Sequence, residues 1–316
     1  MTSPVHVLIT GGCGYVGTKL TQAMLARTDH LVSVLDTQWF GNYLAPDPRL
    51  TICAADIRTI DDFDLSRFDT IFHLANIAND PSVDLNPYSS WEVNVLAGMR
   101  LIERASRQGV KQFIFASSSS AYGLKSEPRV TEDLELVPIS EYNKTKMVAE
   151  RVVMSYSGGM TTSIFRPATV CGYSPRMRLD VIVNLLTIQA LTKGTMTVLG
   201  GDQTRPNIHI DDLVDLYLFA FERRLAGVYN AGFENLKVRD IATLIAEQVD
   251  AEVRILPSND PRSYAVCSDR LLDTGFAPKK DVATAVREMV AAYRDGRLKD
   301  EPVCYNVNWM KQHNFG

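Results

Sequence analysis

Near its beginning the chain reads Val5-His6-Val7-Leu8-Ile9-Thr10-Gly11-Gly12-Cys13-Gly14-Tyr15-Val16-Gly17. The apolar run over residues 5–9 predicts a buried strand, and helical periodicity follows over residues 18–27. Glycines between the two let the backbone turn tightly and come close to a bound molecule. A strand, a glycine-rich turn and a helix in this order are typical of a site that holds a pyrophosphate on the amide groups of a helix N-terminus. The stretch therefore predicts the first strand of an α/β fold and a dinucleotide site at its end.

An acidic residue at the end of the next predicted strand supports this site. The residues predicted to form the glycine turn are Gly11, Gly14, Tyr15, Val16 and Gly17. Asp36 follows 19 residues after the last of them. A carboxylate at this distance can bind the ribose hydroxyls of adenosine, and its charge would repel a 2′-phosphate. Because Thr37 and Gln38 offer no arginine for such a phosphate, NAD is favoured over NADP as the cofactor.

Short apolar runs alternate with helical patterns through the first two thirds of the chain. Beyond the first strand, the predicted strands cover residues 31–35, 50–54, 70–74, 112–116 and 162–166, and further helices cover 87–108 and 141–157. Near-continuous apolar strands that alternate with helices indicate a parallel sheet covered on both faces. The sequence therefore predicts the α/β class, with a Rossmann doubly wound parallel sheet of buried strands.

The composition is that of an ordinary globular protein. The 316 residues are 46% hydrophobic and 22% charged, with a net charge of −4. There is no long basic run, which argues against nucleic acid or an anionic membrane as the main partner. No apolar run reaches about 18 residues and no secretion signal opens the chain, so we expect a cytoplasmic protein. The five cysteines are spread without a Cys-x-x-Cys pair, so we expect free thiols and no metal site.

A second motif, Tyr142-Asn143-Lys144-Thr145-Lys146, places a phenol and an ammonium on one face of a predicted helix. To act as a base at neutral pH, the phenol needs a pKa lowered by roughly three units. A cation about 4 Å away, at an effective dielectric constant of ~20, supplies about that much. We therefore predict that Lys146 keeps Tyr142 partly ionised beside the cofactor. Together with the glycine turn and the serines at 117–120, the pair points to a redox enzyme.

Taken together, these motifs resemble the extended short-chain dehydrogenase/reductase family, in its NAD-dependent nucleotide-sugar epimerase/dehydratase branch. The matching pieces are residues 11–17, Asp56-Ile57-Arg58, His73-Leu74-Ala75, Asn94, residues 117–123, Tyr142-x-x-x-Lys146, Arg166-Pro167-Ala168 and residues 205–212. Six or more motifs in order are far more specific than any one of them. The resemblance runs from about residue 5 to about residue 293.

By position, the resemblance implies a catalytic triad of Ser118, Tyr142 and Lys146. The cofactor contacts that it implies beyond the glycine turn and Asp36 are Asp56, Ile57, Leu74, Ala75, Asn94, Tyr142, Lys146 and Pro167. The implied substrate contacts are Ser118, Ser119, Asn184, Arg205 and Arg262. The two arginines would grip a nucleotide diphosphate through bidentate contacts. Spacing alone leaves other roles open: Asp56 could cap a helix, Asn94 could tie a helix to a strand, and each arginine could form a surface ion pair. Arg176 and Arg178 could add positive charge at the substrate or belong to a solvated loop.

After residue 167 the alternation of apolar strands and helices becomes less regular. Predicted helices lie near 180–193, 211–222, 237–248 and 282–294, with a short strand at 196–199. We predict a NAD-binding Rossmann domain over residues 1–167, to which further segments near 205–235 return. Residues 168–316 are predicted to form a smaller interleaved region that mainly binds the substrate, a nucleotide-diphosphate sugar. No motif explains the segment beyond residue 294.

The implied reaction begins when Tyr142 takes the proton of a sugar hydroxyl, at C4, and a hydride passes from that carbon to NAD. Return of the hydride to the opposite face of the 4-keto sugar defines a nucleotide-sugar 4-epimerase, whereas release of the ketone defines a 4-dehydrogenase. A 4,6-dehydratase is disfavoured, because Ser119 and Ser120 stand where dehydratases carry an Asp-Glu pair. A NAD-binding regulator without catalysis is a further alternative, but such proteins usually lose the tyrosine or the lysine.

The helices predicted at 87–108 and 141–157 are expected to carry apolar outer faces. In the family, the corresponding helices pair across a two-fold axis as a four-helix bundle. The resemblance therefore implies a homodimer. The alternative is that the apolar residues of these helices only cover the sheet.

Overall fold

The central element is a seven-stranded sheet whose neighbouring strands are all parallel. The computed structural model describes residues 4–258, 260 and 262–315. The strands of the sheet are β1 (His6–Thr10), β2 (Leu31–Asp36), β3 (Leu50–Ala54), β4 (Thr70–His73), β5 (Gln112–Ala116), β6 (Thr161–Pro167) and β10 (Gly227–Ala231). Their spatial order is β10-β6-β5-β4-β1-β2-β3. The strand order reverses between β1 and β4, and in sheets of this kind ligands bind beyond the carboxyl ends of the strands at that point.

Five smaller strands complete the C-terminal part of the chain. One three-stranded sheet contains β7 (Thr169–Cys171), β9 (Thr204–His209) and β11 (Glu234–Lys237). A two-stranded parallel sheet contains β8 (Thr195–Leu199) and β12 (Glu252–Leu256). Because β10 lies within the segment near 205–235, this segment does return to the central sheet. The exact division into two regions stays a prediction.

Helices cover both faces of the central sheet. The helices of the described residues are α1 (Tyr15–Arg27), α2 (Asp80–Val83), α3 (Pro87–Trp91), α4 (Gly98–Arg107), α5 (Glu141–Met154), α6 (Ile182–Lys193), α7 (Ile210–Arg223), α8 (Val238–Ala246), α9 (Asp269–Leu272), α10 (Val282–Arg294) and α11 (Asn306–His313). One apolar core holds residues of α1 and α7, and a second core, on the other face, holds residues of α4 and α5. A third core packs α6, α8 and α10 together. The predicted doubly wound fold is therefore confirmed.

Two predicted elements differ in detail from the structure. The strand predicted as buried at 50–54 is β3, which lies at the edge of the sheet and is only partly buried. The helix predicted over 87–108 consists of α3, a π-helical segment over Glu92–Ala97, and α4. The five cysteines are free, as the sequence predicts.

Candidate active site

In the glycine turn between β1 and α1, a side chain at Gly11 or Gly17 would clash with the backbone. Gly11 has φ = +75°, and a Cβ there would lie 2.6 Å from the backbone nitrogen of Ala75. A Cβ on Gly17 would lie 2.0 Å from the carbonyl oxygen of Gly11. The glycines are therefore required for the close approach of α1 to the end of β1. As a result, the first turn of the helix faces the sheet edge where a dinucleotide would lie.

Replacing Gly17 by Ala is expected to lower the free energy of unfolding by about 2 kcal/mol and to weaken NAD binding, because the added carbon meets backbone atoms that cannot move aside. Denaturant unfolding and calorimetric titration with NAD measure the two effects. The matched control is Gly158→Ala, since a Cβ at Gly158 meets no atom within 4 Å. Equal stability and NAD affinity for both variants would contradict this reading of the turn.

A cleft of about 690 Å³ extends from the glycine turn towards β2 and β3. Seven of the predicted cofactor residues line it together: Gly11, Gly14, Asp36, Asp56, Ile57, Leu74 and Ala75. Asp36 accepts hydrogen bonds from the backbone amides of Cys13 (3.0 Å) and Gln38 (2.7 Å). These bonds fix its carboxylate at the end of the cleft that faces away from the catalytic residues. The Asp36 carboxylate, which can bind ribose hydroxyls, and the glycine turn fit a NAD-type dinucleotide.

Two predicted cofactor contacts form structural hydrogen bonds: Asn94 lines neither cleft, whereas Asp56 lines the first cleft as well. Asn94 is buried, and its amide accepts from the backbone nitrogen of Ile77 (2.8 Å) and donates to the Ile77 carbonyl and to Thr145. Because these bonds use its polar atoms, Asn94 ties the helix to the loop after β4, which was the alternative reading. Asp56 lines the cleft but also caps the 3₁₀ turn Ile57–Asp62 and pairs with Arg58 at 2.7 Å.

A second cleft, of about 1240 Å³, continues from the other side of the glycine turn. The predicted residues that line it are Gly11, Gly14, Tyr15, Val16, Gly17, Leu74, Ser118, Ser119, Tyr142 and Pro167. Gly11, Gly14 and Leu74 line both clefts, so the two are continuous at the glycine turn. The structure therefore brings the cofactor residues and the predicted catalytic residues to one site.

Helix α5 carries both residues: Tyr142 lines this cleft, whereas Lys146 is buried and lines neither cleft. The helix begins because the Ser140 side chain accepts from the Asn143 amide and satisfies a free N–H of the first turn. Lys146 Nζ donates to the Ala116 carbonyl at 2.6 Å, and it lies 5.9 Å from the ring centre of Tyr142. Since Ala116 ends β5, this hydrogen bond fixes the lysine relative to the strand that leads to Ser118.

Burial dominates the acid–base properties of this pair. Desolvation raises the pKa of Tyr142 to about 12, although the charge of Arg178 and a hydrogen bond with Ser118 lower it. Desolvation also lowers the pKa of Lys146 to about 7, although the charge of Glu150 raises it. In the protein alone, desolvation therefore outweighs the effect of one ammonium on the pKa of Tyr142. That Lys146 keeps Tyr142 partly ionised beside the cofactor stays a prediction. The cation that lowers the pKa of the phenol is Arg178, from a different loop.

An ion pair behind the catalytic residues was not predicted from the sequence. Arg166 Nη2 lies 2.5 Å from Glu150 Oε1, and the two side chains are 6% and 1% exposed. Ser117 Oγ donates to the same carboxylate at 2.9 Å, and Arg166 donates to the Tyr122 hydroxyl at 2.6 Å. The network connects the residue before Ser118, the residue before Pro167 and the helix turn after Lys146. It therefore fixes the three segments that carry the catalytic groups.

The positions that carry acids in dehydratases hold hydroxyl groups here. Ser120 Oγ lies 2.8 Å from Ser118 Oγ, and Ser119 Oγ lies 3.2 Å from the hydroxyl of Tyr264. Neither serine can exchange a proton usefully at neutral pH. Tyr142, which lines the same cleft from α5, has the chemistry of a general base.

The substrate-side arginines are held by carboxylates. Arg205 pairs with Asp260 at 2.8 Å and also donates to the carbonyl of Arg262. Arg262 pairs with the same Asp260 and with Asp80, each at 2.8 Å. Neither arginine lines the second cleft, whereas Tyr264, which follows in the same loop, does. A diphosphate contact of Arg205 and Arg262 stays a prediction.

Asn184 does not contact the cleft, which corrects its predicted role. It is fully buried, accepts from the Gly172 amide (3.0 Å) and donates to the Tyr15 hydroxyl (3.0 Å) and the Arg178 carbonyl (2.9 Å). These bonds saturate its amide. Asn184 therefore holds Tyr15 of the glycine turn and the loop that carries Arg178.

That loop supplies two arginines that do line the second cleft. Arg178 pairs with Asp180 through Nε at 2.7 Å. The Arg176 guanidinium lies 4.2 Å from the ring centre of Phe40. The sequence named both arginines but could not separate them from a solvated loop, because their burial depends on residues far away in the chain.

One acidic cluster could hold a cation by distance alone. Among the described residues, His209, Asp211 and Glu288 bring ligand atoms within 4.8 Å of one another. Lys280 pairs with both carboxylates and Lys19 pairs with Asp211. Two lysines thus already supply the positive charge, so the cluster is an ion-pair network.

The stability of the protein is expected to fall as the pH drops from about 6.5 towards 3, in part because of His73. This histidine is 2% exposed, and burial, with the charge of Lys146, lowers its pKa to about 3. An unfolded histidine has a pKa of about 6.5. Between these values the unfolded chain binds a proton that the folded protein does not, which costs up to about 1.4 kcal/mol per pH unit.

Urea unfolding between pH 7 and 5 tests this expectation on the protein and on His73→Gln. The variant should lose less stability per pH unit, because glutamine does not titrate. Equal slopes would show that His73 takes up its proton in the folded state.

The fold and the site together define an α/β protein with a dinucleotide cleft and a Ser-Tyr-Lys group. The model of the NAD dependent epimerase/dehydratase family matches residues 7–232. UDP-glucuronic acid decarboxylase 1 of Arabidopsis thaliana is 27% identical over 94% of this chain and 72% of its own length. UDP-glucose 4-epimerase of Lactobacillus helveticus is 26% identical over 88% and 93%. The structure of UDP-glucuronic acid 4-epimerase from Bacillus cereus, in complex with UDP-glucuronic acid and NAD, has a TM-score of 0.78 and 26% identity, and covers 92% of this chain and 99% of that one.

The chain belongs to the NAD-dependent epimerase/dehydratase family, since the family model matches well over half of it. This confirms the resemblance and NAD as the cofactor. The similar proteins include epimerases and a decarboxylase of nucleotide sugars. None of the helices in the described parts of the chain combines the length and apolar character that crossing a bilayer requires.

Proposed function

We propose that the protein is a NAD-dependent nucleotide-sugar 4-epimerase. The observation that carries the proposal is the second cleft, where Tyr142 and Ser118 face the glycine turn and only hydroxyl groups stand at positions 119 and 120. A sugar oxidised in this cleft meets no acid or base at positions 119 and 120 that could catalyse its dehydration. This favours reduction of the 4-keto sugar over its dehydration.

In the proposed mechanism, Tyr142 removes the proton of the C4 hydroxyl and returns it when the ketone is reduced. Ser118 donates a hydrogen bond to the same oxygen. NAD held by the glycine turn and Asp36 would supply a hydride acceptor and a positive charge near the phenol of Tyr142. Lys146, fixed by Ala116, adds positive charge when protonated. Reduction on the opposite face requires the keto sugar to turn within the second cleft before the hydride returns.

The test is incubation of the purified protein with a panel of UDP-, GDP-, CDP- and dTDP-sugars, followed by mass spectrometry and sugar analysis. A product of unchanged mass and inverted C4 configuration supports the epimerase. A product lighter by two hydrogens, with reduced cofactor accumulating, indicates the 4-dehydrogenase instead. Loss of carbon dioxide from a UDP-uronic acid indicates a decarboxylase.

We also propose that the protein forms a homodimer through the outer faces of α3, α4 and α5. Tyr88 (76% exposed), Leu96 (45%) and Met99 (40%) form an apolar row on the segment from α3 to α4. Met154, at the end of α5, is 39% exposed. Exposed apolar residues in such a row are typical of a protein interface.

Sedimentation is expected to give a mass of twice 35.2 kDa for the protein. Replacing Leu96 by Glu should shift the mass to that of one chain, because a buried unpaired charge opposes association. The control is Arg107→Glu, at the end of the same helix. A single-chain mass for the unmodified protein at micromolar concentration would exclude the dimer.

A further inference from the structure

The segment over residues 301–315 lines the second cleft and packs against residues that line the first, but the proposed reaction does not use it. It contains the 3₁₀ turn Pro302–Cys304 and helix α11. Met310 is 2% exposed and belongs to the apolar core that contains Leu35 and Ile57, both of which line the cofactor cleft. Asn306 lines the second cleft. The segment is therefore built into the site.

Two aromatic residues of this segment hold the wall of the cofactor cleft. Trp309 Nε1 donates to the carbonyl of Trp39 at 2.8 Å. The ring of Phe315 stacks on the ring of Trp39, with centroids 5.0 Å apart and planes 9° from parallel. Trp39 and Phe40 line the cleft beside Asp36. The position of Trp39 in the cleft wall therefore depends on Trp309 and Phe315.

The same segment positions a buried cation. Arg176 is 3% exposed and donates to Asn306 Oδ1 at 2.7 Å. Within the described ranges, no carboxylate lies within ion-pair distance of it, and its Nε has no hydrogen-bond partner. The charges of Asp180 and Asp36 act on Arg176 only from beyond ion-pair distance. A buried guanidinium without a direct ion pair is costly, which favours an anion that completes the site. Arg176 and Gly14 line the same cleft, and the glycine turn is built for a pyrophosphate.

We propose that residues 301–315 form the outer wall of the cofactor site and retain NAD between the two hydride transfers. The segment does so by fixing Trp39 at the Asp36 end of the cleft and Arg176 towards the pyrophosphate of the dinucleotide. The inference deepens the proposed function, since an epimerase must keep the reduced cofactor until the hydride returns. A dehydrogenase, by contrast, must exchange its cofactor in every turnover.

The test measures the rate at which NADH leaves the protein, by its fluorescence, after mixing with an excess of NAD. Trp309→Ala and Asn306→Ala should each release NADH at least tenfold faster than the unmodified protein. Gln312→Ala, on the exposed side of the same helix, is the matched control and should release it at the unmodified rate. Unchanged release from both folded variants would overturn the proposal. No sugar is present, so the result is independent of which sugar reaction the protein catalyses.

A purely structural role of the segment is distinguished by two further measurements. Arg176→Met should raise or preserve the melting temperature of the cofactor-free protein while reducing the increase in melting temperature that NAD produces. A lower melting temperature with an unchanged NAD effect would overturn the role of Arg176. If a variant does not fold, hydrogen exchange of the unmodified protein decides the question. NAD should slow the exchange of amides in 301–315, and unchanged exchange there would also overturn the proposal.

Discussion

Replacing Tyr142 by Phe is expected to lower kcat about 10³-fold on the sugar nucleotide that the panel identifies. The variant loses the one group that can carry the proton of the C4 hydroxyl, and general acid–base groups contribute about 10² to 10⁴ in rate. A 10³-fold loss corresponds to about 4 kcal/mol of transition-state stabilisation. The ring itself remains, so the dissociation constant of NAD should change little.

Steady-state kinetics and calorimetric titration with NAD measure the two quantities. Tyr156→Phe is the control, because Tyr156 follows the same helix and lies outside both clefts. If Tyr142→Phe retained activity within tenfold of the unmodified protein, the proton would have to move through another group, and the proposed mechanism would be wrong.

Replacing Glu150 by Gln is expected to lower the free energy of unfolding by about 3 kcal/mol. The substitution leaves the buried guanidinium of Arg166 without its carboxylate, and breaking one partner of a buried pair costs about 3–5 kcal/mol. It also removes the charge that raises the pKa of Lys146. The variant should therefore lose activity at neutral pH, as well as stability.

The control is Glu103→Gln, which breaks the exposed pair of Glu103 with Arg107 (2.7 Å) on α4. A surface pair of this type contributes at most about 0.5 kcal/mol. Urea unfolding of both variants at neutral pH gives the comparison. Similar losses for the two would mean that water reaches Arg166 and that the network does not position the catalytic segments.

The sequence predicted the elements whose signal is local. The strand before Gly11 and the helix that carries Tyr142 and Lys146 follow from periodicity over ten to fifteen residues. Asp36 could be assigned to the cofactor cleft because its distance from the glycine turn is fixed by one helix and one strand. In the structure, Gly11 and Asp36 line the first cleft, and Gly11 and Tyr142 line the second.

Features that depend on distant contacts could not be predicted. By its place in the sequence Asn184 was predicted to contact the substrate. In the structure its side-chain amide donates to the hydroxyl of Tyr15, 169 residues earlier. Trp309 donates to a carbonyl 270 residues away, so no pattern around it reveals the contact. The pKa values of Tyr142 and Lys146 follow from desolvation, which cannot be inferred from their four-residue spacing in the sequence.

The strand order of the central sheet has a consequence for how the protein is made. The edge strand β10 (Gly227–Ala231) pairs with β6, and Tyr229 stacks on Phe165 across that pairing. A nascent chain therefore exposes an unpaired, apolar edge from the time β6 leaves the ribosome until some sixty further residues have emerged. During this interval β1 to β6 have been made but the sheet lacks its seventh strand, and an unpaired apolar edge of this kind promotes aggregation. Fragments that end near residue 167 should share this weakness permanently, because the strand that closes the sheet belongs to the other half of the chain.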